Sequence, residues 1–268
     1  MIRAAAVAAL VIAAGCAPAV NYVSPGGPRF GSTTPTPSSA ATGDTIRIVA
    51  FNIAYAQHVS QAIEILRRRP GLAGADLLLL QEMDAPSTAA VAESLGLSWV
   101  YYPATLHPVT GRDFGNAILS RWPILADRKI VLPHLARVRS SQRVAVAATV
   151  QTPRGAVRVY SVHLATMIGN GPAARRDQLR AVLADADSFP TVLIGGDFNS
   201  ETVPAIALER GYAWPSRGMP HTNSLWTFDH VLVRGLSLAT DSAIGVAEHE
   251  GTSDHNPIWA VLVRSDAR

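Results

Sequence analysis

The amino-acid sequence predicts an α/β fold in which two β-sheets pack together with helices on the outside. From residue 44 onward, short apolar segments of strand length recur, some alternating with period two and others continuously apolar. Helical stretches lie between them. The chain has 268 residues, 48% of them hydrophobic and 16% charged, which is enough for a sizeable core in one large domain or two small ones.

The predicted strands are short runs bounded by turn residues, as expected of sheets that are covered on at least one face. They are residues 45–53, 76–82, 99–102, 116–120, 143–150, 156–164, 191–198, 228–233 and 257–263. Helices are predicted at 59–69, 88–96 and 173–186. The last of these follows Pro172, a residue favoured in a first helical turn, and Leu179, Val182 and Leu183 give it an apolar face.

The N-terminus predicts export. Arg3 precedes an apolar run of about 11 residues, which is too short to span a membrane. The junction "AAGCA" around Cys16 resembles a bacterial lipobox, in which the cysteine is lipidated and becomes the mature N-terminus. An ordinary secretory signal cleaved nearby is the alternative. Cys16 is the only cysteine, which excludes an intramolecular disulfide and a thiolate zinc cluster.

These features divide the chain into three parts. Residues 1–16 are the signal peptide with its lipobox, 17–43 form a flexible tether rich in Pro, Ser, Thr and Gly, and 44–268 form the folded domain. We expect a monomeric lipoprotein anchored in the bacterial envelope, with a secreted or periplasmic protein as the alternative. The net charge of +3 permits an anionic substrate without requiring one.

Polar side chains interrupt several apolar runs at the ends of predicted strands. Turn chemistry would explain any one of them alone, but together they could converge at one rim of a two-sheet structure. Burying such a set would be costly unless it bound a cation and an anionic substrate. The residues are Asn52, Glu82, His163, Asp197, Asn199, Asp229, Asp254 and His255.

The motifs that carry these residues occur in a recognisable order. "FNI", "LLLLQE", "GNAILSR", "YSVHL", "GGDFNS", "FDHVLV" and "TSDHNP" resemble the successive motifs of the endonuclease/exonuclease/phosphatase superfamily, which includes DNase I-like nucleases, neutral sphingomyelinases and inositol polyphosphate 5-phosphatases. The resemblance runs from about Ile46 to Val263. It implies a four-layer α/β sandwich, two mixed β-sheets flanked by helices, and a metal-dependent hydrolase of phosphate esters.

The resemblance also implies a metal site and a general base. Glu82 would be the principal ligand of Mg²⁺ or Mn²⁺, helped by Asn52, because both offer the hard oxygen donors that these ions prefer. His255 would be the general base, and Asp229 would hold its ring in the useful tautomer. Asp254 matches a residue that supports the metal or the base in some relatives.

Further residues would act on water and substrate. By the same resemblance, Asp197 and Asn199 position the attacking water and the phosphate, and being two apart in an extended chain they would point the same way. His163 would donate a hydrogen bond to the phosphoryl oxygens. Asn116, in the "GNAILSR" motif, and Arg175, in a basic stretch of the predicted third helix, are expected to bind substrate.

Three functions remain open at this stage. A nuclease or related phosphodiesterase leads, because the domain is basic, is predicted to be exported and has no evident aromatic loop for entering lipid. Residues 134–143 with Arg112, Arg175 and Arg176 could form a basic groove for nucleic acid or, equally, a solvated face. A phospholipid-directed enzyme resembling a sphingomyelinase or a phosphoinositide phosphatase is the second, since the acyl anchor would bring it to a membrane. The third is a non-catalytic surface lipoprotein that uses the fold as a scaffold, although the motif residues are all retained.

Overall fold

The computed structural model describes residues 19–32, 43–107 and 110–265, and these form two β-sheets with helices. The first sheet contains β1 (Val20–Asn21), β2 (Phe30–Gly31), β3 (Thr45–Asn52), β4 (Leu77–Met83), β5 (Ser98–Leu106), β6 (Asp113–Ser120), β12 (Leu236–Leu238), β13 (Ile244–Val246) and β14 (Ile258–Arg264). The second contains β7 (Ile124–Val131), β8 (Val144–Thr152), β9 (Gly155–His163), β10 (Val192–Asp197) and β11 (Asp229–Arg234). The helices are α1 (Val59–Arg68), α2 (Ala85–Leu95) and α3 (Pro172–Ala186), with 3-10 helices at Ala54–Ala56 and Val203–Arg210.

Both sheets are mixed. The strand order is β1-β5-β6-β4-β3-β14-β12 in the first sheet, where β2 also pairs with β5 and β13 with β14, and β11-β10-β9-β8-β7 in the second. The pairs β3–β4 and β9–β10 are parallel, and the other neighbours of these strands are antiparallel to them. The carboxyl ends of the two strands in each parallel pair therefore lie at one edge of their sheet.

Alternation along the central strands builds the layers. On β3, Ile48 belongs to the core between the two sheets, whereas Val49 belongs to the core beneath α1 and α2. On β9, Val159 faces the first sheet and Tyr160 packs with α3. Strands buried on both faces in this way read as continuously apolar, which is the pattern seen in the sequence. The predicted four-layer sandwich with two mixed sheets is confirmed.

The predicted strands and helices are all present, with boundaries that differ by a few residues. Helix α2 begins earlier than predicted because the Asp84 carboxylate accepts a hydrogen bond from the Ser87 N–H at 2.8 Å and caps the helix. Strand β7 is absent from the prediction. Asp127, Arg128 and Lys129 break its apolar pattern, and each of them finds a partner of its own in the folded chain.

Part of the predicted tether packs against the domain. Residues 19–32 contribute β1 and β2, which pair with β5, and Arg29 forms a two-pronged ion pair with Asp127, with both hydrogen bonds at 2.7 Å. This described part of the 17–43 segment is therefore not a free tether. The signal peptide and Cys16 lie outside the described residues. Within the described ranges, no helix is long and apolar enough to cross a membrane.

The only lysine of the chain fastens this segment. Lys129 is buried, and its Nζ donates to the carbonyls of Tyr22 at 2.8 Å and Gly27 at 2.6 Å. Burial lowers the pKa of the Lys129 ammonium, and the two carbonyls replace part of its lost hydration. A compact ammonium with three donors suits this role better than a planar guanidinium.

We expect Lys129→Met to destabilise the chain only while the segment is present. In a chain that begins at Ala19, the substitution leaves two carbonyls without their charged donor and should lower the free energy of unfolding by about 1–3 kcal/mol. In a chain that begins at Asp44, the loss should be much smaller. Urea denaturation followed by circular dichroism measures both. Arg128→Met is the control, because its partner Asp185 is present in both chains. An equal loss in the two chains would mean that Lys129 does not act through the segment.

Candidate active site

A group of polar side chains meets at one edge of the sandwich, where strands of both sheets end. Register places Asp197 opposite His163 on β9 and opposite Asp229 on β11. The first sheet supplies side chains from the ends of β3 and β4, and the loop before β14 supplies a histidine. The group consists of Asn52, Glu82, His163, Asp197, Asp229 and His255.

Two glycines allow β10 to carry Asp197 into this position. A Cβ on Gly195 would lie 2.6 Å from Leu79 Cδ1 on the facing sheet, and one on Gly196 would lie 2.2 Å from the Val162 carbonyl oxygen. Gly196 also has φ of 135°, a conformation that side-chain-bearing residues rarely adopt. The "GGD" sequence is therefore required by the close approach of the chains at the site.

Glu82 is held in a strained backbone conformation. It lies in an irregularity of β4 between Leu80 and Met83 and has φ of 60°, which for a residue other than glycine costs on the order of 1–3 kcal/mol. Its Oε2 accepts the Tyr55 N–H at 3.0 Å, and its Oε1 accepts Asn52 Nδ2 at 3.2 Å. The strain and these two donors fix the carboxylate at the floor of the cleft.

The site holds more negative charge than the neighbouring cations offset. Burial raises the pKa of the Glu82 carboxyl, and Asp254 raises it further, although Arg143 opposes them. Burial also raises the pKa of Asp197 to about 7, with two neighbouring carboxylates adding to the effect and His255 opposing it. Such raised values mean that these carboxylates would gain from another positive charge.

His255 and Asp229 form a hydrogen-bonded pair. His255 Nδ1 lies 2.7 Å from Asp229 Oδ2, and the Asp229 N–H donates to Thr222 Oγ1 at 3.0 Å. Burial lowers the pKa of His255, but Asp229 and Asp197 outweigh it and raise the value to about 10. In the neutral ring, the bond to Asp229 assigns the hydrogen to Nδ1. His255 Nε2, 3.8 Å from Asp197 Oδ2, is then the atom that can accept a proton.

His163 has the opposite character. Arg143 Nη1 lies 3.3 Å from His163 Nδ1, and since a guanidinium can only donate, Nδ1 is the acceptor and Nε2 carries the hydrogen. That Nε2 is 3.5 Å from Asp197 Oδ2 and 4.0 Å from Glu82 Oε1. Burial, with the charges of Arg143 and His255, holds the pKa of His163 well below its usual range. His163 is therefore a neutral hydrogen-bond donor that faces the cleft.

Asn199 has a different relation to Asp197 from the predicted one. Its φ of 48° takes it out of extended conformation, so strand alternation does not apply after Phe198. The Asn199 N–H donates to Asp197 Oδ1 at 2.7 Å, and its Nδ2 donates to the Leu164 carbonyl at 3.1 Å. Asn199 thus positions the Asp197 carboxylate and the end of β9, while its contact with a phosphate stays a prediction.

The remaining predicted residues occupy different places. Asp254 is exposed, and its charge acts on Glu82 across the cleft. Asn116 is buried, and its Nδ2 donates to the Val144 carbonyl at 2.8 Å, which joins the two sheets. Arg175 is buried too, and its Nη1 donates to the Asn170 carbonyl at 2.9 Å. The structure corrects the expectation for Arg175, because its guanidinium supports the loop before α3 and is not presented to a substrate.

Sequence reasoning did not single out three residues of the site. Arg143 is the last residue of the basic stretch 134–143. Only its position directly before β8 sets it apart from the other arginines of that stretch. Tyr55 contributes only its backbone N–H to Glu82, and because every residue except proline has such a group, the residue type gives no signal. Asn223, whose Nδ2 lies 3.5 Å from His255 Nε2, comes from an irregular loop with no motif.

Two sets of side chains could hold a metal ion. Ligand atoms of Asp197, Asp229 and His255 lie within 4.8 Å of one another, but His255 and Asp229 already bond each other. Glu82, with Asp254 across the cleft, offers carboxylate oxygens, and burial together with Asp254 raises the pKa of Glu82. Asn52 turns its Nδ2 toward Glu82, while its Oδ1 accepts the Ala54 N–H at 3.2 Å, so Asn52 would add an oxygen ligand only with its amide turned over. Hard oxygen donors with excess negative charge suit Mg²⁺ or Mn²⁺. The second set fits a divalent cation better.

A histidine–carboxylate pair beside an acidic cleft, at the edge of a four-layer sandwich, defines a phosphoesterase type of fold and site. The chain belongs to the endonuclease/exonuclease/phosphatase family, whose model matches residues 49–255. No curated protein matches the chain in sequence.

Solved structures share the fold at low sequence identity. An endonuclease/exonuclease/phosphatase from Beutenbergia cavernae is 19% identical with a TM-score of 0.64, and the match covers 82% of this chain and 72% of that one. D. rerio TDP2 complexed with a single-strand DNA product is 16% identical with a TM-score of 0.63, covering 82% and 99%. The human Nocturnin catalytic domain with a bound sulfate anion is 20% identical with a TM-score of 0.59, covering 83% and 95%.

The His255–Asp229 pair can be tested without an activity assay. Asp229→Asn removes the carboxylate that raises the pKa of His255, so that pKa should fall from about 10 by about 1–3 units. Nuclear magnetic resonance titration of the His255 ring in metal-free protein measures the shift. Asp241→Asn, at an exposed position, is the control. An unchanged His255 titration in Asp229→Asn would show that the carboxylate does not govern this ring.

Proposed function

We propose that the protein is a divalent-metal-dependent phosphodiesterase. The observation that carries the proposal is the pairing of His255 with Asp229 opposite the Glu82 cleft, with Asp197 between them. Glu82, Asn52 and Asp254 would hold Mg²⁺ or Mn²⁺, which when bound would offset the charge on the phosphate oxygens. The excess of carboxylates at the site supports this assignment.

The described side chains can divide the reaction among them. A cation held at Glu82 would oppose the carboxylates that raise the pKa of His255, and so favour the neutral ring. In that neutral form, His255 Nε2 would take the proton of the attacking water as its oxygen bonds to phosphorus, while Asp229 keeps the other ring nitrogen protonated. Asp197 would orient that water, and His163 would donate its Nε2 hydrogen to a phosphoryl oxygen. The bond from phosphorus to the leaving oxygen then breaks, the leaving oxygen takes up a proton from solvent water, and His255 returns its proton to solvent. A neutral histidine suits the donor role, because its hydrogen is present across the neutral pH range.

Nucleic acid is the leading substrate. Three arginines lie near His107 at the cleft: Arg112, Arg139 and Arg143. Burial lowers the pKa of His107 most, and the charges of these arginines lower it further. A cluster of arginines of this kind would attract a polyanion. The similarity in fold to a protein solved with single-strand DNA product supports the same choice.

Phospholipid is the second candidate. The loops beside the site expose large apolar side chains, Val138 and Ile168 among them, which a soluble polyanion would not use. A membrane-anchored enzyme would have headgroup phosphodiesters within reach. The non-catalytic scaffold is disfavoured by the strained Glu82 and by the buried charged pair, which cost stability without another use.

We expect the chain to hydrolyse phosphodiesters with Mg²⁺ and to lose this activity in EDTA, with recovery when Mg²⁺ or Mn²⁺ is restored. The panel is single-stranded DNA, RNA, sphingomyelin and phosphatidylglycerol vesicles, and phosphoinositide monoesters. Glu82→Gln should raise the Mg²⁺ concentration required. Steep loss of affinity with salt would mark nucleic acid as substrate. Full activity in EDTA would refute the metal, and cleavage confined to monoesters would refute the diester preference.

We further propose that Cys16 is lipidated and anchors the protein in the bacterial envelope. Full-length protein should appear in the membrane fraction, and Cys16→Ser should shift it to the soluble fraction. Mass spectrometry of the mature N-terminus checks the modification directly. The same distribution for both proteins, with an unmodified N-terminus, would support an ordinary secretory signal.

A further inference from the structure

Two loops beside the site expose large apolar side chains. The loop 132–143 exposes Leu135 at 46% and Val138 at 60%, and the loop 164–171 exposes Met167 at 45% and Ile168 at 86%. We call these four residues the apolar rim. Single exposed apolar residues are ordinary, but a group of them on adjoining loops marks an interaction surface.

The two loops form one ordered surface. The Arg137 N–H donates to the Gly169 carbonyl at 2.9 Å, and Asn170 Nδ2 donates to the Leu135 carbonyl at 3.2 Å. The buried Arg175 holds the second loop from below through the Asn170 carbonyl. The apolar rim is thus presented by a fixed backbone.

The apolar rim borders the active site. A cavity of about 210 Å³ opens beside Glu82 and Arg143, and Val138 and Thr166 from the two loops line it. Arg139, at the same cavity, and the exposed Arg137 place positive charge among the apolar side chains. Among the described residues neither arginine forms an ion pair. Apolar side chains interleaved with arginines suit the interface of an anionic bilayer. There the apolar side chains would enter the acyl region, and the guanidinium groups would stay at the lipid phosphates.

The N-terminal segment reaches the same surface. The Ala19 N–H donates to the Arg139 carbonyl at 2.7 Å, and Asn21 exchanges two hydrogen bonds of 2.8 Å with the loop, through the Ser140 carbonyl and the Gln142 N–H. Cys16 is three residues before Ala19, which is a distance of at most about 11 Å along the chain. A lipid on Cys16 would therefore enter the membrane close to the apolar rim.

We propose that the apolar rim is a membrane-contact surface that seats the active site on an anionic phospholipid bilayer. Three features lie on the same side of the domain: the start of the described N-terminal segment, which follows the proposed anchor, the four exposed apolar side chains, and the positive charge of Arg137 and Arg139. In this orientation the cavity beside Glu82 opens toward the headgroups. Taken with the proposed phosphodiesterase activity, on which this one consequence rests, the surface would place headgroup phosphodiesters within reach of the site and so supports phospholipid, the second substrate candidate.

The test places a reporter either on the apolar rim or on β7 away from the loop 132–143. Full-length lipidated protein carries Ile168→Cys or Leu125→Cys, labelled with nitrobenzoxadiazole, on vesicles of phosphatidylglycerol and phosphatidylethanolamine that contain doxyl-labelled lipid. Leu125 is a matched control, because it is 58% exposed and lies on β7 at the end away from the loop 132–143. We expect a blue shift and several-fold stronger quenching at position 168 than at 125. Arg137→Glu should reduce the quenching on these vesicles.

Several results would overturn the proposal. Equal quenching at the two positions would mean that the anchor leaves the domain without a fixed face, and absence from the vesicles would remove the membrane partner. Protection of the label at 168 by single-stranded DNA, with no quenching by lipid, would identify the surface as a nucleic-acid contact. The reporter does not depend on catalysis, so an inactive protein that passed this test would refute the phosphodiesterase and leave the surface standing.

Discussion

An excess of negative charge near the end of β4, at the end of β10 and at the start of β11 is the constraint on which the rest of this structure depends. Carboxylates are costly to bury, and each of these is stabilised differently. Glu82 takes a backbone N–H through a strained conformation, Asp197 takes the N–H of Asn199, and Asp229 takes the His255 ring. Burial, with a smaller contribution from neighbouring carboxylates, raises the pKa of Glu82 and Asp197 and leaves the site suited to a divalent cation.

Each sheet contributes half of the site, so the site exists only when the sheets are packed. Asn52 and Glu82 come from the first sheet, and His163 and Asp197 from the second. Ser253 ties the His255 loop to the first sheet, since its Oγ donates to the Asn52 carbonyl at 2.6 Å. The glycines of β10 allow the approach: a Cβ on Gly195 would meet Leu79 of the facing sheet, and one on Gly196 would meet the Val162 carbonyl oxygen of the neighbouring strand.

The N-terminal segment links the proposed anchor to the catalytic edge. It is fastened at one end to the sole lysine on β7 and at the other to the loop 132–143, whose last residues lead into Arg143. Arg143 in turn fixes the hydrogen of His163. A chain of direct contacts thus connects Ala19 and Asn21 with a side chain of the active site.

The sequence by itself determined the layers and most of the site, because periodicity and strand-end polarity are local properties. The central strands and the three helices could be predicted from such patterns, and the family resemblance added that Glu82, His255 and Asp229 belong to one site. Tertiary structure decided what depends on partners distant in the chain. Strand β7 was not predicted, because its charged residues break the apolar pattern and their partners are distant in the chain. Asp127 pairs with Arg29, and Lys129 donates to the carbonyls of Tyr22 and Gly27. Arg175 reads as a free cation until its burial is known, and Asn199 departs from strand alternation through one positive φ. Hydrogen-bond partners across two sheets are set by register and packing, and residue type alone does not encode them.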